Sequence, residues 1–103
     1  MEYENGHCYV FVRNDITDSQ KAVQAGHAAI EAQREFRPTE HPALVILKVK
    51  NENKLIKAID ELTENGIEFV IFRDDIFNWE LTAVATKPIY GDKRQLLRRY
   101  SLL

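Results

Sequence analysis

Four apolar, β-rich runs are joined by connections of very unequal length, and that inequality restricts the topology severely. The runs are His7 to Val12, Ala43 to Val49 (ALVILKV), Ile67 to Phe72 (IEFVIF) and Trp79 to Thr86. The first two connections are long and each holds a helical pattern. One helix is expected from about Asp18 to Glu35, behind N-cap oxygens at Thr17-Asp18. Pro38 and Pro42 break the chain into a loop after it. A second helix begins at Asn51 or Glu52, with Leu55, Ile56, Ile59 and Leu62 spaced for one buried face and Asn65-Gly66 as its left-handed stop. Helical crossovers join parallel strands right-handedly. Arg73 to Asn78 is too short for a crossover, so the last two strands should form an antiparallel hairpin. After Pro88 and Gly91, Asp92 caps an expected short helix through Tyr100. The order is β-α-β-α-β-β plus a C-terminal tail helix, a mixed sheet covered by helices rather than the βαββαβ order of a ferredoxin-like domain.

A chain of 103 residues, read whole as residues 1-103, supports one domain and one core. Its net charge of −2 argues against a generally basic, RNA-coating surface, so any RNA contact must be a local patch. The lone Cys8 cannot form an internal disulfide and is expected to be a reduced, buried strand residue. Met1 to Gly6 reads as a short exposed lead, too acidic and polar for a signal peptide. No apolar run approaches the ~20 residues needed to cross a bilayer. The expected compartment is the cytoplasm.

The stretch from Val12 to Ala32, a strand end, a turn and an amphipathic helix, organises the rest. At 3.6 residues per turn, Ala22, Ala25, Ala29, Ala32 and Phe36 form a small-sided apolar stripe, edged by Val23, Gly26 and Ile30. Gln20, Gln24, His27 and Glu31 form the opposite, polar stripe. A strand feeding such a helix is the usual geometry of an α/β site.

These residues resemble a known family. Val12-Arg13-Asn14-Asp15-Ile16 followed by Gln24-Ala25-Gly26-His27-Ala28-Ala29 is similar to the opening of the type 2 peptidyl-tRNA hydrolases, where a strand ending VRNDL leads to a helix carrying AAQCSHAA. ALVILKV matches that family's second strand, and Asp74 its strand-ending aspartate. Ala83-Val84-Ala85 echoes its LAIGP-type strand, and Leu102-Leu103 its leucine-rich tail. The resemblance implies a three-layer α/β/α fold with a four-stranded mixed sheet, usually a homodimer. It also implies hydrolysis of the ester joining a peptide, or an acyl-amino acid, to the 3′ end of tRNA. The family's helix-entry lysine falls on Gln20, with Lys21 about 100° away around the helix. Its AGRTQ segment is replaced by Asp75-Ile76-Phe77-Asn78-Trp79, and the threonine opening its last strand falls on Glu80. Gln24, His27 and Asp74 carry over.

Ester hydrolysis needs an activated water, donors for the developing oxyanion and a group that fixes the base. His27 is the candidate base and Asp74 its orienting partner. Gln24, Asn14 or Asn78 are candidate oxyanion donors, with Lys21 a weaker one. Asp74-Asp75 is better read as a pair of solvated loop acids than as a metal site, since only His27 offers a third ligand; no metal and no cofactor are expected. Lys87, Lys93, Arg94, Arg98 and Arg99 crowd the tail, interleaved with Tyr90 and Tyr100, as an RNA acceptor end would require. The plainer alternative is a solvated helix whose Leu96, Leu97, Leu102 and Leu103 dock on the sheet. Trp79 is expected in the core, with an exposed stacking platform as the alternative. At the level of function, the alternative to a hydrolase is a non-catalytic dimeric RNA- or ligand-binding module on the same fold.

Overall fold

The computed structural model describes residues 6–103, and most of the expected N-terminal lead lies outside them. Gly6, its last residue, is buried rather than exposed. Strand β1 is His7–Arg13, helix α1 Asp18–Phe36, strand β2 Ala43–Val49, helix α2 Glu52–Glu64, strand β3 Phe69–Arg73 and strand β4 Leu81–Thr86. A two-residue strand β5, Ser101–Leu102, completes a sheet ordered β3-β4-β1-β2-β5. Strands β1 and β2 pair in parallel; β4 pairs antiparallel with both β1 and β3. The parallel crossover and the hairpin are therefore as expected, and β1, β2 and β3 point the same way. Their C-terminal ends share one end of the sheet.

Among the described residues the sheet has five strands, not four. The expected tail helix is instead a 3-10 segment, Gly91–Leu97, followed by β5. Only Leu97 of the tail leucines is buried; Leu102 is 69% exposed. With a single apolar anchor, no α-helical stripe has anything to pack on. The chain instead seats the Tyr100 ring edge-on against Phe11, 4.9 Å between centroids, and pairs with the otherwise open edge of β2.

The helices lie on opposite faces of the sheet. Leu55, Ala58 and Leu62 of α2 pack with Phe11, Leu47 and Val84 on one face; Ala25, Ala28 and Ala32 of α1 pack with Val10, Val12, Ala83 and Ala85 on the other. The α1 interface is alanine on valine and alanine, which lets the helix axis approach the sheet closely. Both helix starts follow from local chemistry. The Thr17 hydroxyl accepts from the Gln20 amide at 3.2 Å and the Gln20 side chain accepts from the Thr17 amide at 2.9 Å, a reciprocal capping box. The Asn51 side chain accepts from the Lys54 amide at 3.0 Å. Helix α2 stops in a Schellman motif: Gly66 has φ +67, the Ile67 amide reaches Leu62 O at 2.9 Å, and both those apolar side chains are buried.

The stripe expected on α1 is rotated. Gln24 is fully buried with Ala25, Ala28 and Ala32, while Val23 and Ile30 are 54% and 67% exposed. A buried Gln is tolerated only where its amide finds partners, and Gln24 finds them at the hairpin.

Candidate functional site

Three elements converge on Gln24: α1, which carries it, the end of β3, and the start of β4. Its Nε2 donates to Asp74 Oδ2 at 2.9 Å, and the Thr82 hydroxyl donates a short hydrogen bond to its Oε1. A carboxylate only accepts, so the amide must turn its NH2 to Asp74 and its oxygen to the hydroxyl. The Thr82 oxygen also lies 3.3 Å from Phe72 O. The result is a polar chain from the sheet interior to the surface, running Thr82, Gln24, Asp74.

Thr82 reaches this position because the β3–β4 ladder is irregular. Phe72 faces Ala83 while Arg73 faces Leu81, leaving Thr82 as the extra residue of a bulge. Simple alternation would turn Thr82 to the α2 face with Val84; the bulge re-aims it toward α1. Expectation put the family's strand-opening threonine on Glu80. Thr82 supplies the hydroxyl at the site instead, and Glu80 accepts from Arg13 Nη1 at 2.8 Å. The signal that could have found Thr82 was its place in a run buried from Leu81 to Thr86, where a hydroxyl needs a partner.

Asp74 is itself the cap of a 3-10 turn, Asp75–Phe77, its Oδ1 accepting from the Ile76 amide at 3.2 Å. The Gln24 amide first, and that backbone amide second, hold its carboxyl below the usual carboxylate range, so it is ionised at neutral pH. The turn returns to β4 through two left-handed residues, Asn78 at φ +54 and Trp79 at φ +62. Left-handed backbone is costly for a residue as bulky as Trp. Trp79 is 63% exposed and Ile76 66% exposed, so Trp79 is outside the core, contrary to expectation. Trp79 sits in this return, between the 3-10 turn and β4 and outside both strands, where its indole stays off the sheet.

His27 lies one helical turn beyond Gln24, exposed, its ring stacked on Phe72 at 4.7 Å and 7°. Its charge is felt at Asp74, though weakly beside the two hydrogen bonds. Asp74 is hydrogen-bonded to Gln24 rather than to the imidazole; Phe72 is what fixes the ring. Gln24, fully buried, has its Oε1 and one Nε2 hydrogen engaged inside the protein, so its amide clamps Thr82 to Asp74.

The remaining expected residues divide. Gln20 is occupied in the capping box, and Lys21 Nζ lies 3.1 Å from Asp18 Oδ1. Asn14 and Asn78 are exposed near the carboxyl ends of β1 and β3. Beside them Arg13 donates from Nε and Nη2 to the two oxygens of Asp15, at 2.7 and 2.9 Å, holding that carboxyl low. The tail cations do not form one face. Lys93 lies with Gly66, Pro88 and Tyr90 at the far end of the sheet, and Arg94 donates to Tyr9 Oη at 3.0 Å. Arg98 shares a hollow with Arg94, while Arg99 pairs with Glu61. Lys93 and Arg94, one-third of a turn apart in the 3-10 segment, diverge, and Arg98 and Arg99 lie beyond its end.

Among the described residues no group of three His, Cys, Asp or Glu side chains is placed to hold a metal ion, and no helix is long and apolar enough to cross a membrane. The fold is similar to a solved protein of unknown function from Agrobacterium tumefaciens strain C58, with a TM-score of 0.73 at 10% identity, over 96% of this chain and 98% of that one. At that identity the likeness speaks for the fold alone. No curated protein sequence matches the chain. The family model for peptidyl-tRNA hydrolase PTH2 matches residues 7–99, spanning β1, the Gln24–His27 turn of α1, Asp74 and Thr82. The chain belongs to the peptidyl-tRNA hydrolase PTH2 family.

Proposed function

We propose that this protein hydrolyses the ester between a peptide, or an acyl-amino acid, and the 3′ end of tRNA. The observation that carries the reading is the buried Thr82–Gln24–Asp74 chain, ending in an ionised carboxylate beside the exposed imidazole of His27. Asp74 accepts a hydrogen bond from the attacking water. His27 takes that water's proton as the new C–O bond forms, then returns it to the departing 3′ oxygen as the tetrahedral intermediate collapses. The exposed amides of Asn14 and Asn78, and Lys21 less directly, are the available oxyanion donors. Gln24 and Thr82 act through Asp74 and are positioning residues. Trp79, exposed and fixed by its backbone, offers a stacking face to the terminal base. The protein is expected to be a homodimer, as the family resemblance implies, and to act in the cytoplasm, where its substrate class is found.

One observation favours the second reading, a non-catalytic RNA- or ligand-binding module: Gln20, where the family's lysine falls, is a neutral amide held in the capping box, and Lys21 pairs with Asp18. A peptidyl-tRNA cleavage assay run beside a tRNA-binding titration separates the two. Hydrolysis predicts turnover that His27→Ala lowers by roughly 10²–10⁴-fold while binding changes little. Binding without peptide release, unchanged in His27→Ala, gives the module.

A further inference from the structure

We propose that the groove between α2 and the β2–β5 edge binds the phosphodiester backbone of an RNA strand whose acylated end lies at Asp74 and His27. This rests on the hydrolase reading for the identity of the RNA. The groove has a volume of about 360 Å³ and is lined, among the described residues, by Lys48, Lys50, Lys54, Lys57, Arg99 and Tyr100, with no carboxylate among them. On α2 the buried stripe of Leu55, Ala58 and Leu62 separates two flanks. The flank with Glu52 faces β4, where Glu52 Oε2 accepts from the Leu81 amide at 2.9 Å. The other, with Lys54 and Lys57, faces β2 and β5. Glu61 on that flank already holds Arg99 and the Tyr100 hydroxyl, which pins the tail as the groove's rim. Alternation along β2 turns Val49 toward α2 and Lys48 away, while Lys50 lies just past the strand end, so Lys54 and Lys57 on α2 are the principal cations.

Folding alone does not account for this arrangement. Among the described residues Lys48, Lys50, Lys54 and Lys57 form no ion pair. Lys54 stands in the first turn of α2, where the helix dipole disfavours a cation. The chain as a whole has net charge −2, so the cluster is a local inversion of sign. The site's own end of the sheet carries Asp15, Asp74, Asp75 and Glu80 beside Arg13 and Arg73, so acids outnumber those two cations there. Lys50 follows the end of β2, level with the end of β1 and three strands from β3. At ~4.8 Å per strand that is roughly 14 Å, about four phosphate steps of a helical strand at 3.4 Å each. One strand of an acceptor stem can therefore rest its phosphates along the groove while its acylated terminus crosses the sheet end.

The test uses the full chain and labelled deacylated tRNA, with binding followed by anisotropy across a KCl series. The double variant Lys54→Gln/Lys57→Gln should bind more weakly and lose about one unit of log-log salt slope per lysine. Arg34→Gln, which removes an exposed cation of α1 paired with Glu31, should match wild type. An unchanged slope in the double variant, or an equal loss in Arg34→Gln, overturns the proposal. So does lysine-dependent binding of inorganic phosphate or of phosphatidylserine vesicles by a protein that does not bind tRNA. Cleavage separates this from the hydrolase reading. The double variant should raise KM for peptidyl-tRNA at unchanged kcat, and hydrolyse N-acyl-aminoacyl-adenosine, which has no phosphodiester, as wild type does. A wild type that binds through these lysines but cleaves neither substrate sinks the hydrolase reading and leaves the RNA groove standing. Cleavage of both with an unmoved KM does the reverse.

Discussion

Thr82→Val tests the buried polar chain most directly. The two side chains are nearly the same shape, so packing in β4 is retained and only the hydroxyl is lost. Gln24 Oε1, in a residue with no exposed surface, then has no donor. Leaving a buried acceptor unsatisfied costs about 1–3 kcal/mol, more than the roughly 1 kcal/mol net value of an ordinary hydrogen bond. For a domain of this size ~2 kcal/mol corresponds to a fall in Tm of roughly 8–16 °C. In urea the midpoint should move down by about 1 M at an unchanged slope of roughly 2 kcal/mol/M. The sharper expectation concerns the double variant. Thr82→Val/Gln24→Leu removes both partners, and Asp74, which faces solvent, is rehydrated. The double variant should therefore be more stable than Thr82→Val alone, an energetic coupling of opposite sign to additivity. Urea unfolding of wild type, both single variants and the double closes the cycle. Additive losses, or a Thr82→Val midpoint equal to wild type, would refute the account of Gln24 as a satisfied buried clamp.

Three further outcomes follow from the same geometry. The Asp74 carboxyl, followed by carbon NMR, should titrate below about 3.9, the ordinary aspartate value, and should move up in Gln24→Leu; because its folded pKa is depressed, its contribution to stability is present above that value and lost as pH falls through the folded midpoint. Cys8, 1% exposed and with its thiol pushed up to about 11 by burial, should react with a thiol reagent at pH 8 only when the protein is unfolded. Trp79→Ala should leave folding intact, since the indole covers no core, while raising KM for peptidyl-tRNA if the ring stacks on the terminal base; an unchanged KM assigns it no part in substrate binding.

The strand–helix alternation was legible because apolar runs and connection lengths are properties of the chain itself. Strand β2 came out with its boundaries as read, and Asn65-Gly66 ended α2 as read. What failed was tertiary. A Gln is polar in any periodicity, so Gln24 was assigned to the solvent face; only the hydroxyl and carboxylate brought in by a distant hairpin make its burial favourable. The bulge at Thr82 has no signature in strand alternation, and an alignment drawn along a regular strand therefore placed the threonine on Glu80. The tail failed for a different reason. Its leucines suggest an amphipathic helix, but the open edge of β2 competes for the same backbone.

The place of β4 between β1 and β3 has a consequence in time. It is the last of the four long strands to be synthesised, yet it fills the gap between two made earlier. At 5–20 residues per second, roughly 4–15 s separate completion of β1 from the arrival of Thr86 at the ribosome's peptidyl-transfer centre. Once α1 and β2 have followed, β1 can dock on them, but its other edge has no partner until β4 arrives. Val10 and its neighbours then present open backbone groups on an apolar strand, a template for pairing with another chain. Nascent chains that pause between α2 and β4 are the ones most exposed to aggregation, and the ones a chaperone would have to hold.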